Sequence, residues 1–435
     1  MPFKNDFVNE EWISDKIRFG FDTLKRQRLS KPLIKDVSMF FQISWTEIFD
    51  TLTKKFDISR NKNINFDLIV GPFCDLKTSF FIKNLLKLSI NKDRLLSFEN
   101  VGLSNIDFQS YYSFNNRFQV FDNSKLEACL LIGVDTKKEV PILNLKLRKR
   151  FLKGNFIVAN FGSKLNLTFP VFHLATNCFS FFSVISGNHF FCKILKKKKT
   201  KIVLVGNSFL SICSENKHRF FISSFLQNSG FMNSEFFGFN FLSKRASDLA
   251  LYHLGIKTKN LIKTLKPNFL IVLGDTIFQK NNKNSFICYN GIQGNNFALK
   301  SNLILPSLSF VEKNSLFVNT EGRFQNAQKA ISGPKNAKLD FEIIFNFIKN
   351  LDGFFDKKLK TNFLLRQNKI PFFKDNKKPF FSSILKSGFM NKTKITNKNI
   401  VTNFNDNFYQ TNLILKNSVI MAKSSKTLLL KSPFL

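Results

Sequence analysis

Residues 303–325 read L-I-L-P-S-L-S-F-V-E-K-N-S-L-F-V-N-T-E-G-R-F-Q. The apolar run Leu303–Pro306 predicts a buried strand that ends at proline, because the proline ring has no N–H to extend a ladder. The later run Val318–Arg323 combines side-chain acceptors, a carboxylate, a guanidinium and a glycine that can adopt positive φ. We predict a hydrogen-bonded turn there, and for Glu321 and Arg323 either an internal ion pair or a place in the hydrogen bonding of that turn.

The same stretch resembles a family signature. In the NuoG-type large iron-sulfur subunit of respiratory NADH dehydrogenase, and in the wider molybdopterin oxidoreductases, leucine-proline followed by E-K-x-x-x-x-V-N-T-E-G-R-x-Q closes an α/β domain. The matching residues here are Pro306, Glu312, Lys313, Val318, Asn319, Thr320, Glu321, Gly322, Arg323 and Gln325.

Four short aliphatic runs end at a glycine, at residues 68–71, 130–133, 202–206 and 270–274. Continuous apolar strands separated by helical stretches are typical of a parallel sheet covered on both faces. We therefore predict an α/β fold with doubly wound parallel sheets, similar to the molybdopterin oxidoreductases, with a less regular carboxyl-terminal segment. Ligands of such folds bind beyond the carboxyl ends of the strands, where these glycines lie.

The strand ends carry no nucleotide-binding fingerprint. Residues Gly71–Thr78 have Leu76 where a phosphate-binding loop needs its second glycine for close backbone approach. The stretches 133–135 and 274–276 also lack a second glycine. We predict no catalytic, cofactor-binding or metal-binding residue in this chain.

Other segments extend the resemblance. Residues 10–33 predict a capped helix or arm that begins near Ser14 or Asp15 and ends before Pro32. They resemble the family segment that joins the cluster-bearing half to the α/β half. The chain thus begins where the second half of such a subunit begins, which implies a version split from its iron-sulfur half.

Residues 131–153 predict a strand, a loop and a surface helix with a basic outer face, in which Ile142, Leu145 and Leu147 are the apolar positions. The segment resembles the family pattern E-A-P-x-x-N-x-x-x-R-K, although Val134 and Asp135 replace its usual Thr-Asn. Residues 246–255 predict a helix that ends at glycine. Residues 408–412 and 418–424 resemble the family's closing motifs.

The charge is strongly basic. Sixty-six Lys and Arg residues against 30 Asp and Glu residues give a net charge of +36, and there are 57 phenylalanines. Such a balance raises nucleic acid or an anionic membrane as a partner. Scattered lysines with abundant Phe are also what an AT-rich genome encodes, and we favour that interpretation. Lys196–Lys199 is accordingly interpreted as a loop that enters a buried strand, with a nucleic-acid patch as the alternative.

The spacing of the cysteines and histidines does not predict a metal site. The six cysteines form no C-x-x-C pair, so we predict that the cysteines are buried and pack as small hydrophobic side chains. The four histidines show no paired spacing, which argues against zinc. The cysteines are Cys74, Cys129, Cys178, Cys192, Cys213 and Cys288; the histidines are His173, His189, His218 and His253.

No window offers the run of about 18 apolar residues that a membrane-spanning helix needs. Acidic residues at 6, 10, 11 and 15 are unlike an organellar transit peptide, so a mitochondrial location would imply synthesis inside the organelle. Residues 353–400 mix phenylalanine pairs with lysines and predict a segment laid on partner surfaces. The predicted organisation is an arm (1–61), two α/β halves (62–195 and 196–352) and a peripheral segment (353–435).

The resemblance implies a structural role in the peripheral arm of complex I, which passes electrons from NADH to quinone. It implies an iron-sulfur half and neighbouring subunits as partners, on the matrix side of the mitochondrial inner membrane. The clusters would lie in the separate half, with no cofactor in this chain. The alternatives are an organellar nucleic-acid-binding protein and an active molybdopterin oxidoreductase.

Overall fold

The structure is a computed structural model. It describes residues 2–61, 66–88, 95–97, 125–177, 180, 183–184, 186–206, 230–231, 238–243, 245–254, 259–260, 269–274, 285–350 and 408–431. The predicted segment 353–400, the residues 275–276 after the fourth glycine, Cys178, Cys213 and His218 lie outside this part of the chain.

The described strands number fifteen and form two large sheets and a hairpin. They are β1 (Leu33–Asp36), β2 (Met39–Gln42), β3 (Phe66–Val70), β4 (Leu95–Ser97), β5 (Ala128–Ile132), β6 (Ile157–Phe161), β7 (Phe172–Ala175), β8 (Lys201–Gly206), β9 (Phe239–Leu242), β10 (Lys259–Asn260), β11 (Phe269–Leu273), β12 (Phe286–Gly291), β13 (Leu303–Pro306), β14 (Ser315–Val318) and β15 (Phe324–Ala327).

The larger sheet has the order β10-β4-β3-β11-β12-β13-β1-β2. Six of its strands are parallel to one another: β10, β4, β3, β11, β12 and β13. The strands β1 and β2 add an antiparallel edge beside β13. The smaller sheet is entirely parallel in the order β7-β6-β5-β8-β9. The strands β14 and β15 form a separate antiparallel hairpin.

The structure describes ten helices, several of which pack against the sheets. They are α1 (Asp15–Phe19), α2 (Trp45–Asn61), α3 (Leu76–Leu88), α4 (Thr136–Glu139), α5 (Pro141–Leu152), α6 (Phe190–Lys196), α7 (Ala246–His253), α8 (Asp340–Asn350), α9 (Leu413–Lys416) and α10 (Val419–Lys431). None of them is both long enough and apolar enough to cross a bilayer.

The central strands of the two large sheets are buried on both faces. Residues of β3 and β11 alternate between a core shared with α2, α3 and α8 and a second core under Phe297. In the smaller sheet, alternate residues of β5 and β8 face α5 on one side and α6 on the other. The four aliphatic runs and the Leu303–Pro306 strand are therefore as predicted, and the doubly wound α/β class is confirmed.

The sheets combine distant parts of the chain. Strands from residues 33–97 and 259–306 form the larger sheet, whereas the smaller one takes residues 128–242. The predicted boundary between residues 195 and 196 falls inside the last turn of α6, the helix that leads into β8 of the smaller sheet. Lys196 ends α6 and the following lysines lead into buried β8, as expected.

The helix α5 differs from the prediction. Its buried face contains Leu143 and Leu147 together with Lys146 and Arg150, whereas Leu145 is 38% exposed. Arg150 is buried because its guanidinium donates to Leu126 O (2.8 Å) and Gly154 O (2.7 Å). From the sequence, a basic residue is expected at the surface. Arg150 can be buried because backbone carbonyl groups accept the hydrogen bonds of its guanidinium.

One strand end depends on the absence of a side chain. A Cβ built on Gly206 would lie 2.2 Å from Gly133 O and 2.5 Å from Val134 Cγ2. The backbones that follow β5 and β8 can approach this closely only because position 206 is glycine.

We predict that Gly206→Ala destabilises the protein by about 2 kcal/mol or more, because the new methyl group overpacks against a backbone carbonyl. The free energy of unfolding measured by chemical denaturation checks this. Gly294→Ala is the matched control, since its Cβ would meet nothing closer than 3.8 Å. Equal stability of the two variants would contradict the prediction.

Candidate functional site

A buried ion pair joins the end of the larger sheet to α8. Lys313 Nζ lies 2.8 Å from Asp340 Oδ2, and these side chains are only 4% and 8% exposed. The other carboxylate oxygen, Oδ1, accepts hydrogen bonds from Asn290 Nδ2 (2.8 Å) and Ser307 Oγ. Asn290 and Ser307 stand at the carboxyl ends of β12 and β13, so one carboxylate connects two strand ends, the signature lysine and a helix.

The charges in this cluster stabilise one another. Burial alone would lower the pKa of Lys313, but the nearby carboxylates Asp340 and Asp75 raise it above its ordinary value. A raised lysine pKa adds stability that is complete below the unfolded pKa and is lost only as pH rises through the folded value. The Lys313 ammonium therefore stabilises the fold across the whole neutral range. The pKa of Cys74 is raised by burial and by Asp75 and Asp340, so its thiol stays neutral.

The neighbouring signature residue, Glu312, holds the amino-terminal arm, which we define as residues 2–32. Its Oε2 accepts from Ser309 N (2.8 Å) and forms a buried ion pair with Arg28. Arg28 also donates to Ile292 O at 2.8 Å. The adjacent residues Glu312 and Lys313 of the motif therefore form two separate ion pairs. Glu312 pairs with Arg28 of the arm, and Lys313 pairs with Asp340 of α8.

The predicted turn is present between β14 and β15. Asn319 Oδ1 accepts from the backbone N–H groups of Glu321 (3.0 Å) and Arg323 (2.8 Å), and Gly322 adopts φ +78°. Arg323 Nε lies 3.3 Å from Glu321 Oε2. The predicted ion pair is confirmed. The sequence did not show that the Arg323 guanidinium also lies 5.7 Å from the ring of Phe7 in the arm.

The second part of the arm is fixed to the body of the protein. Asp22 caps α10 by accepting from Ser418 Oγ (2.6 Å), Val419 N (2.9 Å) and Ile420 N (3.2 Å). The arm here is a short helix, α1, followed by a 3-10 turn (Gly20–Lys25), and Ser14 occupies the N-cap without a side-chain bond.

Gln293, in the loop after β12, connects the arm to the carboxyl-terminal helices. Its buried side chain donates to Thr23 O (2.6 Å) and accepts from Asn417 Nδ2 (2.9 Å). One amide group therefore bonds residues 270 positions upstream and 124 positions downstream.

The first part of the arm is held by charge. Glu10 Oε1 lies 3.0 Å from Lys149 Nζ and 3.9 Å from Lys146 Nζ, both on α5. Lys16 Nζ lies 4.0 Å from the centroid of the Phe408 ring. Burial lowers the pKa of Lys16 to about 8, against an opposing effect of Glu139.

This held arm nevertheless exposes large apolar side chains. Six of them lie within residues 3–21: Phe3 (93% exposed), Phe7 (53%), Trp12 (54%), Ile17 (66%), Phe19 (43%) and Phe21 (65%). A dense apolar surface on an anchored segment is typical of a surface that binds another protein.

Three described strand-end glycines do not fit the pyrophosphate of a molybdopterin cofactor. The amides of Gly71, Gly133 and Gly274 donate to carbonyl oxygens of neighbouring strands, which leaves them unavailable to a pyrophosphate. Ser247 N, in the first turn of α7, donates to Pro72 O (3.1 Å), so α7 touches the loop that follows β3. Among the described strand ends no glycine-lined phosphate cradle is present.

Metal ligands do not assemble in the described residues, where no group of three His, Cys, Asp or Glu side chains could hold an ion. Four cysteines are confirmed as buried free thiols: Cys74, Cys129, Cys192 and Cys288. His173 Nε2 lies 2.9 Å from Gly162 O, and His189 Nδ1 accepts from Phe191 N (3.2 Å) at the start of α6. The side chain of His253 lies outside the described structure.

Several residues of this site escaped the sequence analysis. Asp340, Asn290, Asp22 and Gln293 belong to no spacing pattern, because each bonds to residues far away in the chain. A weak signal existed for Asp340, which precedes an apolar helix and could have been interpreted as a first-turn acid.

We predict that Lys313→Met destabilises the protein by about 3–5 kcal/mol, because it leaves a buried carboxylate without its cation. Urea unfolding checks this in a double-mutant cycle with Asp340→Leu. The double variant should lose less than the sum of the two single variants. Strict additivity would show that the pair is not coupled.

We predict that Asp22→Ala releases α10, because the helix loses three hydrogen bonds at its first turn, at a cost of about 1–2 kcal/mol. Hydrogen exchange of residues 419–427 should become faster. Asp15→Ala, an exposed acid in the same arm, is the control and should leave this exchange unchanged. Identical exchange in both variants would contradict the capping role.

Comparison with known proteins agrees with this fold. The family model described as Molybdopterin oxidoreductase matches residues 28–350. A second model, described as NADH-ubiquinone oxidoreductase NDSU1/NuoG-like, 4Fe-4S domain, matches residues 1–22. This second match covers the exposed part of the arm.

Three curated relatives share 30–32% identity with this chain. They are the NADH-ubiquinone oxidoreductase 75 kDa subunit of Reclinomonas americana (32% identity, 98% of this chain), an NADH-quinone oxidoreductase subunit of Rickettsia felis (30%, 97%) and the mitochondrial NADH-ubiquinone oxidoreductase 78 kDa subunit of Candida albicans (31%, 98%). The chain spans 64%, 62% and 60% of their respective lengths.

Two solved structures share the fold at 8–9% identity. The formyltransferase/hydrolase complex of Methylorubrum extorquens gives a TM-score of 0.52 over 74% of this chain and 98% of that chain. Acetylene hydratase of Pelobacter acetylenicus gives 0.51 over 81% of this chain and 65% of that chain. The predicted resemblance is confirmed: the chain belongs to the molybdopterin oxidoreductase family, and its curated relatives include the 75 kDa and 78 kDa subunits of NADH-ubiquinone oxidoreductases.

Proposed function

We propose that this protein is a structural subunit of the peripheral arm of respiratory NADH:ubiquinone oxidoreductase, complex I. It supports a cluster-bearing partner in electron transfer from NADH to quinone. The names of its relatives support this assignment. Because the chain spans less than two thirds of those relatives, the electron-transfer activity and the partners belong to the proposal.

The observation that carries the proposal is the anchored, apolar arm. Its residues 1–22 match a 4Fe-4S domain model, and within them six large apolar side chains face solvent. Exposed apolar area of this kind is stabilised when a partner covers it, at about 25 cal/mol per Å². The arm also keeps a fixed position, because Arg28 and Asp22 bind it to the signature motif and to α10. The partner that fits is the iron-sulfur half of the same kind of subunit.

The chain itself supports the complex without catalysing a step. The charged groups at its strand ends, Lys313 and Asp340, are buried and bonded to each other, which suits a scaffold. The iron-sulfur clusters then reside in the partner, and this chain carries no cofactor. We place it on the matrix side of the mitochondrial inner membrane, encoded in the organelle, with neighbouring peripheral-arm subunits as further partners.

The two alternatives have less support. An active molybdopterin enzyme needs backbone amides that approach the pyrophosphates, and the described strand-end glycines use theirs inside the sheets. A nucleic-acid-binding protein is motivated by the net charge of +36 alone. A steep salt dependence with preference for one nucleic-acid sequence would favour it.

Native gel electrophoresis of detergent-solubilised mitochondrial membranes, followed by mass spectrometry, tests the assignment. We expect the chain to migrate with NADH dehydrogenase activity and with a polypeptide that carries iron-sulfur cluster motifs. Migration alone, or with ribonucleoprotein, would overturn the assignment.

We predict that the double variant Trp12→Ser/Phe21→Ser loses association with the iron-sulfur half by about tenfold or more, because exposed aromatic anchors dominate interface energy. Co-purification of the two tagged halves measures this. The control Val37→Ser/Met39→Ser removes two exposed apolar side chains outside the arm, which are 95% and 67% exposed. Equal association of both variants would exclude the arm as the contact.

A further inference from the structure

The larger sheet ends at an open edge, which is the outer side of β2. Among the described residues, β2 is the last strand of this sheet and pairs only with β1. The two strands form an antiparallel ladder in which Asp36 is opposite Met39 and Ile34 is opposite Phe41. The outer side of such a strand presents backbone N–H and C=O groups that the sheet itself does not pair.

The hydrogen bonds of β1 show which groups of β2 point outward. Lys35 N donates to Asn302 O (2.8 Å), on the side of β1 that faces away from β2. Because hydrogen-bonded and non-hydrogen-bonded pairs alternate along an antiparallel ladder, Lys35 and the opposite residue, Phe40, form a non-hydrogen-bonded pair. The backbone N–H and C=O groups of Phe40 therefore point to the open edge. Gln42, two residues further along the strand, has the same orientation.

The outward groups match the backbone of another extended chain. Phe40 and Gln42 together offer two donors and two acceptors, which repeat at about 7 Å, the two-residue period of a β-strand. In the described part of the chain, the backbone groups of these two residues form no hydrogen bond beyond the ladder with β1. A second strand can pair with all four groups, whereas a compact ligand cannot follow their linear spacing.

The strand also lacks the features that protect an exposed edge from pairing. Its sequence M-F-F-Q contains no charged residue and no proline, and its register with β1 has no bulge. Met39 and Phe41 lie on one face and are 67% and 51% exposed, whereas Phe40 on the other face packs against the core that contains Phe297. An added strand would therefore cover apolar side chains as well as pair with the backbone.

A second copy of this chain does not suit this edge. A four-residue strand on each side covers much less than the roughly 1,200–2,000 Å² that a stable interface buries. Two chains that each carry a net charge of +36 also repel one another. A different polypeptide avoids both obstacles, because the added strand is then one part of a larger contact between unlike chains.

We propose that the open edge of β2 accepts an extended strand of another polypeptide, a neighbouring peripheral-arm subunit, through the backbone groups of Phe40 and Gln42. The existence of that neighbour rests on the proposed function, whereas the strand chemistry rests on the edge itself. Apolar side chains of the added strand pack against Met39 and Phe41.

Hydrogen exchange at single-residue resolution tests the pairing, by comparing the purified full-length chain with the native complex. The amides of Phe40 and Gln42 should exchange freely in the isolated chain and about 100-fold more slowly in the complex. The amide of Phe41, which pairs with Ile34 of β1, is the internal reference and should be slow in both. Fast exchange of Phe40 and Gln42 in the complex would overturn the proposal. Slow exchange in the isolated chain would show that the chain covers its own edge, which would also overturn it.

The variant Gln42→Pro tests whether the backbone makes the contact. Proline removes the outward N–H, and an edge strand tolerates proline where that N–H faces solvent. The isolated variant should unfold at the same denaturant concentration as the unchanged chain, but about tenfold less of it should be recovered in the native complex. Gln42→Thr keeps the N–H and is the matched control, with recovery equal to that of the unchanged chain. Equal recovery of the two variants would exclude pairing through this edge.

Native gel electrophoresis separates a failure of this inference from a failure of the proposed function. If the chain migrates in an assembly without NADH dehydrogenase activity, the proposed function fails, and protection of Phe40 and Gln42 in that assembly would still support the edge contact. If the chain migrates with NADH dehydrogenase activity and these amides exchange freely, only the edge contact fails. A chain that joins no assembly would overturn both.

Discussion

A charge that leaves water must be paired, and this constraint organises the protein around Lys313 and Asp340. Both side chains are almost fully buried at the carboxyl end of the larger sheet. An isolated buried charge would cost several kcal/mol, so the carboxylate takes a cation and two further donors. Those donors, Asn290 and Ser307, stand at two strand ends, and Asp340 itself begins α8. Satisfying one carboxylate therefore sets the positions of β12, β13 and a covering helix together.

The amino-terminal arm extends the same logic to the surface. Arg28 is paired with Glu312, and Asp22 uses its acceptors on the first turn of α10. These polar contacts are directional, so they fix where the arm lies. The arm also exposes apolar side chains such as Trp12 and Phe21. Apolar contacts are not directional, so these side chains offer apolar surface without fixing an orientation. A single segment thus combines polar contacts that fix its position with an apolar surface that the described residues leave uncovered.

Three of the described strand-end glycines have their backbone amides bonded within the sheets. Parallel sheets leave backbone N–H groups at their carboxyl ends, and those groups are what a pyrophosphate would use. In this chain the strand-end glycines bond to neighbouring strands, and Ser247 bonds directly to Pro72. At Gly206 the glycine is needed for close backbone approach, because a Cβ there would lie 2.2 Å from Gly133 O. Glycine at the carboxyl end of β8 thus has a packing role.

The aliphatic strands, the α/β class, the turn at Asn319–Arg323 and the family could be predicted before any coordinates, because each is encoded in residues close together in the chain. Periodicity and turn chemistry are local, so they can be predicted without coordinates. Three features could be learned from the folded chain alone: strands about 200 residues apart share a sheet, Arg150 is buried, and Asp340 is the partner of Lys313. Burial and ion pairing depend on contacts between residues that are far apart in the chain. A local sequence pattern therefore does not indicate whether a lysine or an arginine is solvated or paired with a carboxylate.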